Sequence, residues 1–499
     1  MQNHSERKGK LAQRRNVPRK QGQRTPRPGR TTNRRSPLKT TGQEREERTV
    51  TVVDQVRLIA AQLPLLLKRL SRIPEPRQPA KVKHGLTTLI IYGMLCFVLQ
   101  ISSRREANDV LTLPQLQENL LTLFPELDSL PHADTLFRLL RDRGETVQEI
   151  EQAMIDLVQK LIRQKKFRRF LINNCYPIAL DGSRKTTFTG LWSDALLQQR
   201  ISGSEEQGDA QYQYYIYVLE ASLCLHNGMV IPLMSEFLDF REGDGDRNKQ
   251  DCEMRAFHRL AERIKKTFPR LPIMMLLDGL YANGPVIERC LSYHWQFMIV
   301  LKDGSLPSVW DDYHGLRSLE RNNEHRQAWH GRQQHFRWVN GIRYDYAANN
   351  SKHLTLNVVV CHETWQELNK NAQEVTGESK HAWLSSRPLR ADNVHERCNL
   401  GGRHRWGIEA GFLVEKHQGY QYEHSFAQSW NAMRGYHYLM RLGHLLNTLA
   451  RFSLTLAKKF SEMGVRGFIR FVRESLGAPW FDLKTIHERI RHPFELHLI

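Results

Sequence analysis

The chain has 499 residues, enough for two to four domains of ordinary size with substantial hydrophobic cores. Its 73 lysines and arginines outnumber its 53 aspartates and glutamates, and the net charge of +20 points to nucleic acid first and an anionic membrane surface second. Its 7 cysteines are scattered without a CxxC pair, which disfavours a disulfide-stapled secreted scaffold and indicates a reducing, intracellular compartment.

The chain contains one long apolar run, and we expect no signal peptide because the first residues are polar and basic. The run, GLTTLIIYGMLCFVLQI at residues 85–101, is uncharged but shorter than the ~20 apolar residues that span a bilayer. Because it is solitary and contains polar residues such as Thr88 and Gln100, a buried helix is expected rather than a membrane span. The sequence thus predicts a cytoplasmic protein with no membrane partner.

The first 170 residues divide into two predicted regions. Residues 1–50 hold 15 lysines and arginines against 4 glutamates and no aromatic residue, which is typical of a disordered basic arm. Such an arm either contacts phosphates nonspecifically or is a solvated tail. Residues 51–170 have apolar residues at helical spacing and are predicted to be a helical N-terminal DNA-binding region. Within it, residues 131–144 fit one limb of a helix-turn-helix or an ordinary αα-hairpin.

From residue 171 the pattern changes to strands. NCYPIALDGS predicts a strand that ends at Asp181, and two later strands are joined across Asn227 and Gly228, a strong hairpin signal. The next predicted elements are a helix near 250–266, a strand ending at Asp278, a helix at about 283–293 and a strand ending near Lys302. Three antiparallel strands followed by alternating strand and helix form a ribonuclease-H-like (RNase-H-like) arrangement. Residues 171–302 are therefore predicted to be the first part of an α/β catalytic core.

The rest of the chain divides into three predicted regions. Residues 303–385 are expected to form a β-rich insertion, because QHFRWVNGIRYDYAA and HLTLNVVVCHETW have the composition of strands. Residues 386–425 are expected to complete the core with one long helix from Asn393 to about Gln418. Residues 426–499 are predicted to be a helical C-terminal region.

Three carboxylates are the candidate catalytic residues. Asp181 and Asp278 each follow an apolar strand and precede a glycine, and active sites of open sheets collect at the carboxyl ends of strands. Two carboxylates there would repel unless a divalent cation neutralised them, and hard oxygen ligands suit Mg²⁺ or Mn²⁺. Glu409, on the predicted long helix, would complete the site. Taken singly, a strand-end Asp-Gly is more often a turn than a ligand.

Helical spacing places two basic residues beside Glu409. Arg405 and Lys416 stand at i−4 and i+7 from it, so all three fall on one face of the predicted helix. Such a stripe can hold a metal with its acid and bind substrate phosphates with its bases. Ordinary ion pairing on a solvated helix face explains the same spacing.

Three segments together resemble a known family. RHRWGIEAGFLVEKHQGY is similar to the Tyr-(2)-Arg-(3)-Glu-(6)-Lys signature of bacterial insertion-sequence DDE transposases, with Arg405, Glu409 and Lys416 at the required spacings and Gly402 at the tyrosine position. PIALDGSRKTT and IMMLLDGLYANG resemble that family's first and second Asp blocks. The predicted β-rich insertion also resembles an insertion found in a subgroup of these transposases. The whole resemblance covers roughly residues 75–450.

The resemblance implies a DNA transposase that cleaves strands at element ends and joins them to target DNA by two-metal phosphoryl transfer. It implies that Asp181, Asp278 and Glu409 are catalytic and hold two Mg²⁺ or Mn²⁺ ions. The residues expected to contact DNA are Arg405, Lys416, Arg184 and Lys185. The expected partners are double-stranded DNA and a second copy of the chain on paired ends, with no small-molecule cofactor and a location at the nucleoid.

Two alternatives remain open from the sequence. A catalytically idle, transposase-derived DNA-binding protein would share the basic arm and the helices without needing the three acids. A hydrolytic nuclease of the same fold would need the acids but would cleave without joining. A zinc site at His395, Cys398 and His404 is rejected because no second ligand pair accompanies it.

Overall fold

The computed structural model describes residues 36–499, except residues 74, 76, 79, 81, 204–210, 243–249, 369–373 and 480–482. Most of the predicted basic arm therefore lies outside the described residues. Its last part differs from the prediction, because helix α1 (Thr41–Ala60) begins inside it. The Thr40 hydroxyl caps this helix by accepting a hydrogen bond from the Gln43 amide at 3.2 Å. Buried side chains such as Val52 and Leu58 then anchor the helix to the protein.

Helices make up the region before the sheet, as predicted. They are α1, α2 (Leu63–Leu70), α3 (Leu86–Val98), α4 (Arg104–Leu111), α5 (Pro114–Leu123), α6 (Ala133–Asp142) and α7 (Gly144–Arg163). The uncharged run of residues 85–101 forms α3, and its Leu89 and Ile91 side chains are fully buried, which confirms the expected buried helix. A helix of the C-terminal region packs against it and places the Leu439 side chain on Gly93.

No individual helix in the described part of the chain is long and apolar enough to cross a membrane. Among the described helices, only the consecutive pair α1 and α2, which meet at a bend of 41°, has the length and composition for a membrane span when the two are counted together. Both bury apolar side chains inside the protein, Val53 and Leu66 among them.

In the described part of the chain, ten strands form one mixed sheet, which confirms the α/β class. The strands are β1 (Tyr176–Phe188), β2 (Leu197–Ser202), β3 (Gln211–Cys224), β4 (Val230–Phe237), β5 (Ile273–Leu277), β6 (Gln296–Val300), β7 (Glu324–Trp329), β8 (Arg332–Tyr346), β9 (Lys352–Leu368) and β10 (Glu374–Ser385). Helices α8 (Glu253–Thr267), α9 (Gly284–Ser292) and α10 (Pro307–Leu316) follow β4, β5 and β6 in turn.

The first half of the sheet combines antiparallel and parallel strands. β3 pairs with β1 on one side and with both β2 and β4 on the other. The turn between β3 and β4 uses Gly228 at a φ of +87°, which confirms the predicted Asn-Gly hairpin. β1, β5 and β6 are parallel neighbours, so the strand order is β4, β3, β1, β5, β6. β1 is therefore central, and its first half is buried.

The β-rich insertion extends this same sheet. β10 returns to pair with β6, Trp383 opposite Val300, and β9, β8 and β7 follow outward as antiparallel neighbours. The insertion also contains helix α10, which the sequence pattern did not predict. Core and insertion consequently share one continuous network of strand hydrogen bonds.

The single helix predicted from Asn393 to about Gln418 is wrong, because the segment is broken into three pieces. A π-helical turn over Glu396–Gly401 and a 3₁₀ turn over Gly402–Arg405 precede the regular helix α11 (Trp406–His417). The break falls at two adjacent glycines, where helix propensity is low. The helices that follow are α12 (Trp430–Arg451), α13 (Ala457–Leu476) and α14 (Leu483–Arg491).

Candidate active site

Asp181 lies in the middle of β1, which stands between β3 and β5 in the first half of the sheet. The strand continues to Phe188, so the expectation that it ends at Asp181 is wrong. It continues because β3 runs alongside it and pairs Asp181 with Glu220. The Asp181 carboxylate is half-buried and accepts a hydrogen bond from the amide of Gly182 at 3.1 Å.

Asp278 comes directly after β5. Ala179 of β1 pairs with Leu276 of β5, so Asp181 and Asp278 each stand two residues beyond the same pair. The Asp278 Oδ1 caps a 3₁₀ turn by accepting a hydrogen bond from a backbone amide two residues on, at 2.9 Å. Lys302, just after β6, places its Nζ 3.9 Å from the other carboxylate oxygen. The two aspartates therefore lie at the same level of neighbouring strands.

Glu409 lies on α11, which packs closely on the strands. A Cβ on Gly407 would lie 3.2 Å from the Cβ of Cys224, and a Cβ on Gly411 would lie 3.2 Å from the Cγ1 of Val230. Larger residues at these positions would push the helix away from the sheet. The two glycines thus set the distance between Glu409 and the strands that carry the aspartates.

The electrostatics of Asp181 show that the acids are neighbours. Burial raises the pKa of Asp181 from its ordinary value of 3.8 to about 7, and the Arg405 guanidinium opposes that rise. The carboxylates of Glu409, Glu253 and Asp278 raise the pKa further. The structure therefore brings together acids from three distant parts of the sequence.

The donor chemistry of these acids fits a divalent cation, since carboxylate oxygens are the ligands that Mg²⁺ and Mn²⁺ prefer. Their arrangement is not a ready coordination set: among the described residues, no group of three or more His, Cys, Asp or Glu side chains is placed to hold a metal ion. Glu409 is instead paired with Arg405, 2.7 Å from its Nη2, and Asp278 faces Lys302. Two protein cations thus neutralise two of the acids.

Glu253 is a fourth carboxylate at the site, and sequence reasoning missed it. It is the first residue of α8, and its carboxylate oxygens accept hydrogen bonds from the hydroxyls of Tyr217 and Tyr281, each at 2.7 Å. Gly182 leaves room for it, because a Cβ there would overlap this carboxylate. The only sequence signal is its place in the first turn of the helix after the antiparallel strands.

Arg405 and Lys416 are both engaged in contacts inside the protein. Arg405 is buried, forms the ion pair with Glu409 and lies over the Trp406 ring at 4.6 Å from its centroid. Lys416 places its Nζ 3.3 Å from Oε1 of Glu423. The i,i+4 ion pair that the spacing also allowed is therefore present.

Arg184 and Lys185 lie where the pairing of β1 with β3 shifts register, and the two side chains differ in exposure. Arg184 is exposed, donates a hydrogen bond to Oε1 of Gln199 at 3.0 Å and lies over the Tyr215 ring. Lys185 is only 2% exposed and donates a hydrogen bond to the Tyr422 carbonyl at 2.6 Å. Burial lowers the pKa of Lys185 to about 8. The expectation that Lys185 contacts DNA is therefore corrected, because its ammonium is turned into the interior.

A buried ionic cluster ties α11 to the sheet and to α12. Arg441 on α12 lies 3.0 Å from Oε1 of Glu415 on α11 and 3.3 Å from Oε2 of Glu220 on β3. Burial opposes ionisation of Glu415, yet the Arg441 guanidinium lowers the pKa of that carboxyl to about 2. Because Glu220 pairs with Asp181 and Glu415 shares a helix with Glu409, one arginine fixes both acid-bearing elements.

The insertion holds the turn that leads into α11. Glu363 on β9 is buried and forms ion pairs with Arg332 of β8, at 2.9 Å, and with Arg403 of the 3₁₀ turn. Gly402 of the same turn lies against Trp383 of β10, where a Cβ would come 2.8 Å from the indole nitrogen. A tyrosine side chain does not fit at this position.

Fold and site define a mixed α/β protein whose central strands and two helices gather four carboxylates. No protein-family model matches the chain, and no curated protein matches its sequence. The function therefore has to be inferred from the chemistry of the acidic site.

Proposed function

We propose that the protein is a DNA transposase that cleaves strands at the ends of a mobile element and joins them to target DNA. The observation that carries the proposal is the convergence of Asp278 and Glu409 on Asp181, whose pKa is raised to about 7. The strand order β4, β3, β1, β5, β6 supports an RNase-H-like core, with acids on its first strand and directly after β5.

Asp181, Asp278 and Glu409 would hold two Mg²⁺ or Mn²⁺ ions, because their oxygens suit these cations and their mutual repulsion favours a positive charge between them. When bound, the ions would stabilise the attacking and leaving oxygens of an in-line displacement at phosphorus. Arg405 and Lys302 balance part of the negative charge of the acids, which lowers the electrostatic cost of bringing a DNA phosphate to the same place.

Double-stranded DNA at element ends and target sites is the proposed substrate, and a second copy of the chain is the proposed partner at the nucleoid. The net charge of +20 supports a polyanionic substrate. Trp406 and Leu413, which are 47% and 58% exposed, stand one turn on either side of Glu409 on α11. They provide apolar surface beside the acid for a base or for the partner.

The test is a cleavage and joining assay in Mg²⁺ on labelled DNA taken from both flanks of the gene. Asp181→Asn, Asp278→Asn and Glu409→Gln should each reduce cleavage by more than about 10²-fold, because each removes one charged oxygen ligand. Binding of the same DNA, measured by gel shift, should remain close to that of the wild type. Asp312→Asn, on the exposed side of α10, is the matched control and should cleave normally.

Substantial cleavage by any of the three variants would remove that residue from the proposed site. Cleavage by the wild type without joining would identify a hydrolytic nuclease instead. Binding without cleavage would identify a DNA-binding protein that has lost its chemistry.

A further inference from the structure

A basic loop joins the helical region to the sheet. Residues 163–169, RQKKFRR, hold five cations in seven positions. Those side chains are exposed except for Lys166, which is half-buried. We call this segment the basic loop, and it lies outside the acidic site.

Buried aromatic rings hold the basic loop in place. Phe167 is fully buried and Phe170 is 5% exposed, so the residues between and before them are turned outward. Lys165 adopts a φ of +59°, and its amide and the next one donate hydrogen bonds to the carbonyls of Ile162 and Leu161 at 2.9 and 3.0 Å. The cations therefore project from a defined turn at the end of α7.

The basic loop forms one wall of a groove of about 520 Å³, and residues 496–498 form the other. Arg169 joins the two walls by donating a hydrogen bond to the Leu498 carbonyl. The second wall is itself fixed, because the Leu454 amide donates a hydrogen bond to the His497 carbonyl at 2.9 Å. The groove is thus built from two segments that are each tied to the body of the protein.

The charges of the basic loop are largely uncompensated. Lys166 lies 3.5 Å from Glu495. In the ranges that the structure describes, Arg163, Lys165 and Arg168 have no carboxylate within 4.0 Å. Some other exposed cations are paired, as Arg390 is with Asp392. Lys165 and Arg168 line the groove, and Arg163 stands at the start of the basic loop. These free positive charges favour a string of negative charges along the loop.

The basic loop and the acids lie at different levels along the strands of the sheet. The loop precedes Tyr176, where β1 starts, and Asp181 is five residues further along, about 17 Å away at the rise of a strand. Asp278 follows the carboxyl end of β5, away from the loop. A phosphate bound at the basic loop is therefore not the phosphate at which the acids would cut.

We propose that the basic loop and its groove bind the phosphate backbone of a second stretch of duplex DNA. The choice of DNA as the ligand rests on the proposed function and on the uncompensated cations beside the shallow groove, which attract a string of phosphates. The loop contributes affinity and leaves the chemistry at the acids unchanged.

The experiment compares the wild type with the triple variant Arg163→Gln, Lys165→Gln, Arg168→Gln, using a labelled duplex of about 30 base pairs and arbitrary sequence. Each phosphate contact adds about −0.9 to the slope of log K against log salt, so the slope should become less negative by about 2.7. Each single variant should account for about 0.9. The matched control replaces three paired cations, Arg343, Lys352 and Lys380, with glutamine and should leave the slope unchanged.

An unchanged slope in the triple variant overturns the proposal. If the triple variant instead loses binding to vesicles of anionic lipid while its DNA slope stays unchanged, the proposal is also overturned. Cleavage of saturated flanking DNA should equal that of the wild type. If the slope becomes less negative in the triple variant although the wild type never cleaves DNA, the proposed function fails while the proposed binding surface stands. If the wild type cleaves and the slope does not move, the binding surface fails alone.

Discussion

Asparagine at position 181 should make the folded protein more stable than the wild type at alkaline pH. Asp181 is half-buried beside Glu253, Asp278 and Glu409, so its charged form is disfavoured in the folded state and its pKa rises to about 7. In the unfolded chain the pKa returns to its ordinary value of 3.8. Between these two values the folded protein keeps a proton that the unfolded chain has released, so the free energy of unfolding falls as the pH rises.

The two pKa values determine the size of the effect. One pKa unit corresponds to about 1.4 kcal/mol, so the charged carboxylate costs the folded state about 4 kcal/mol above pH 7. The stability that protonated Asp181 contributes is fully present below pH 3.8 and is lost by pH 7. Asparagine does not ionise. The difference in the free energy of unfolding between Asp181→Asn and the wild type should therefore grow, in favour of the variant, by about 3 kcal/mol between pH 5 and pH 8.5.

Urea denaturation at both pH values, followed by circular dichroism, measures this advantage. Asp312→Asn is the control, because Asp312 is exposed and forms no ion pair with any described residue. Its free energy of unfolding should stay within about 0.5 kcal/mol of the wild type. An advantage of Asp181→Asn that is the same at pH 5 and pH 8.5 would refute the reasoning. Adding Mg²⁺ at pH 8.5 should stabilise the wild type more than the variant.

Two further predictions concern the contacts that hold the site. Arg441→Met should lower the free energy of unfolding by about 3–5 kcal/mol, because it leaves two buried glutamates without their guanidinium partner. Urea denaturation measures that loss, and a loss below about 1 kcal/mol would contradict the role given to the cluster. Gly402→Ala should cost about 1–3 kcal/mol because the added methyl meets the Trp383 ring. Thermal unfolding compared with Gly190→Ala, an exposed position where the space is open, would reveal this loss. Equal melting temperatures for the two alanine variants would argue against that close contact.

Elements with a local signal lie where the sequence predicts them. A signal within the segment itself marks three such elements. They are the Asn-Gly turn between β3 and β4, the apolar strand β5 that ends before Asp278, and the capped helix α9. The buried helix α3 also follows from composition alone.

Features that depend on distant partners could not be predicted in the same way. β1 runs past Asp181 because β3 supplies hydrogen bonds there, and the helix before Gln418 breaks where Trp383 of the insertion meets it. Lys185 is buried because a carbonyl 237 residues away accepts its hydrogen bond. Two tyrosines from other elements hold Glu253 beside the other acids by donating hydrogen bonds to its carboxylate. No motif in its own segment indicates this position.

The pairing of β10 with β6 has a consequence for synthesis of the chain. β6 finds its outer partner only when residues 383–385 have been made, roughly 80 residues after β6 itself, which takes about 4–16 s at 5–20 residues per second. During that interval an apolar strand such as β6 presents an open edge to other nascent chains. The insertion therefore defines a time window in which the growing protein is most exposed to aggregation, and the speed at which ribosomes translate residues 303–385 sets its length.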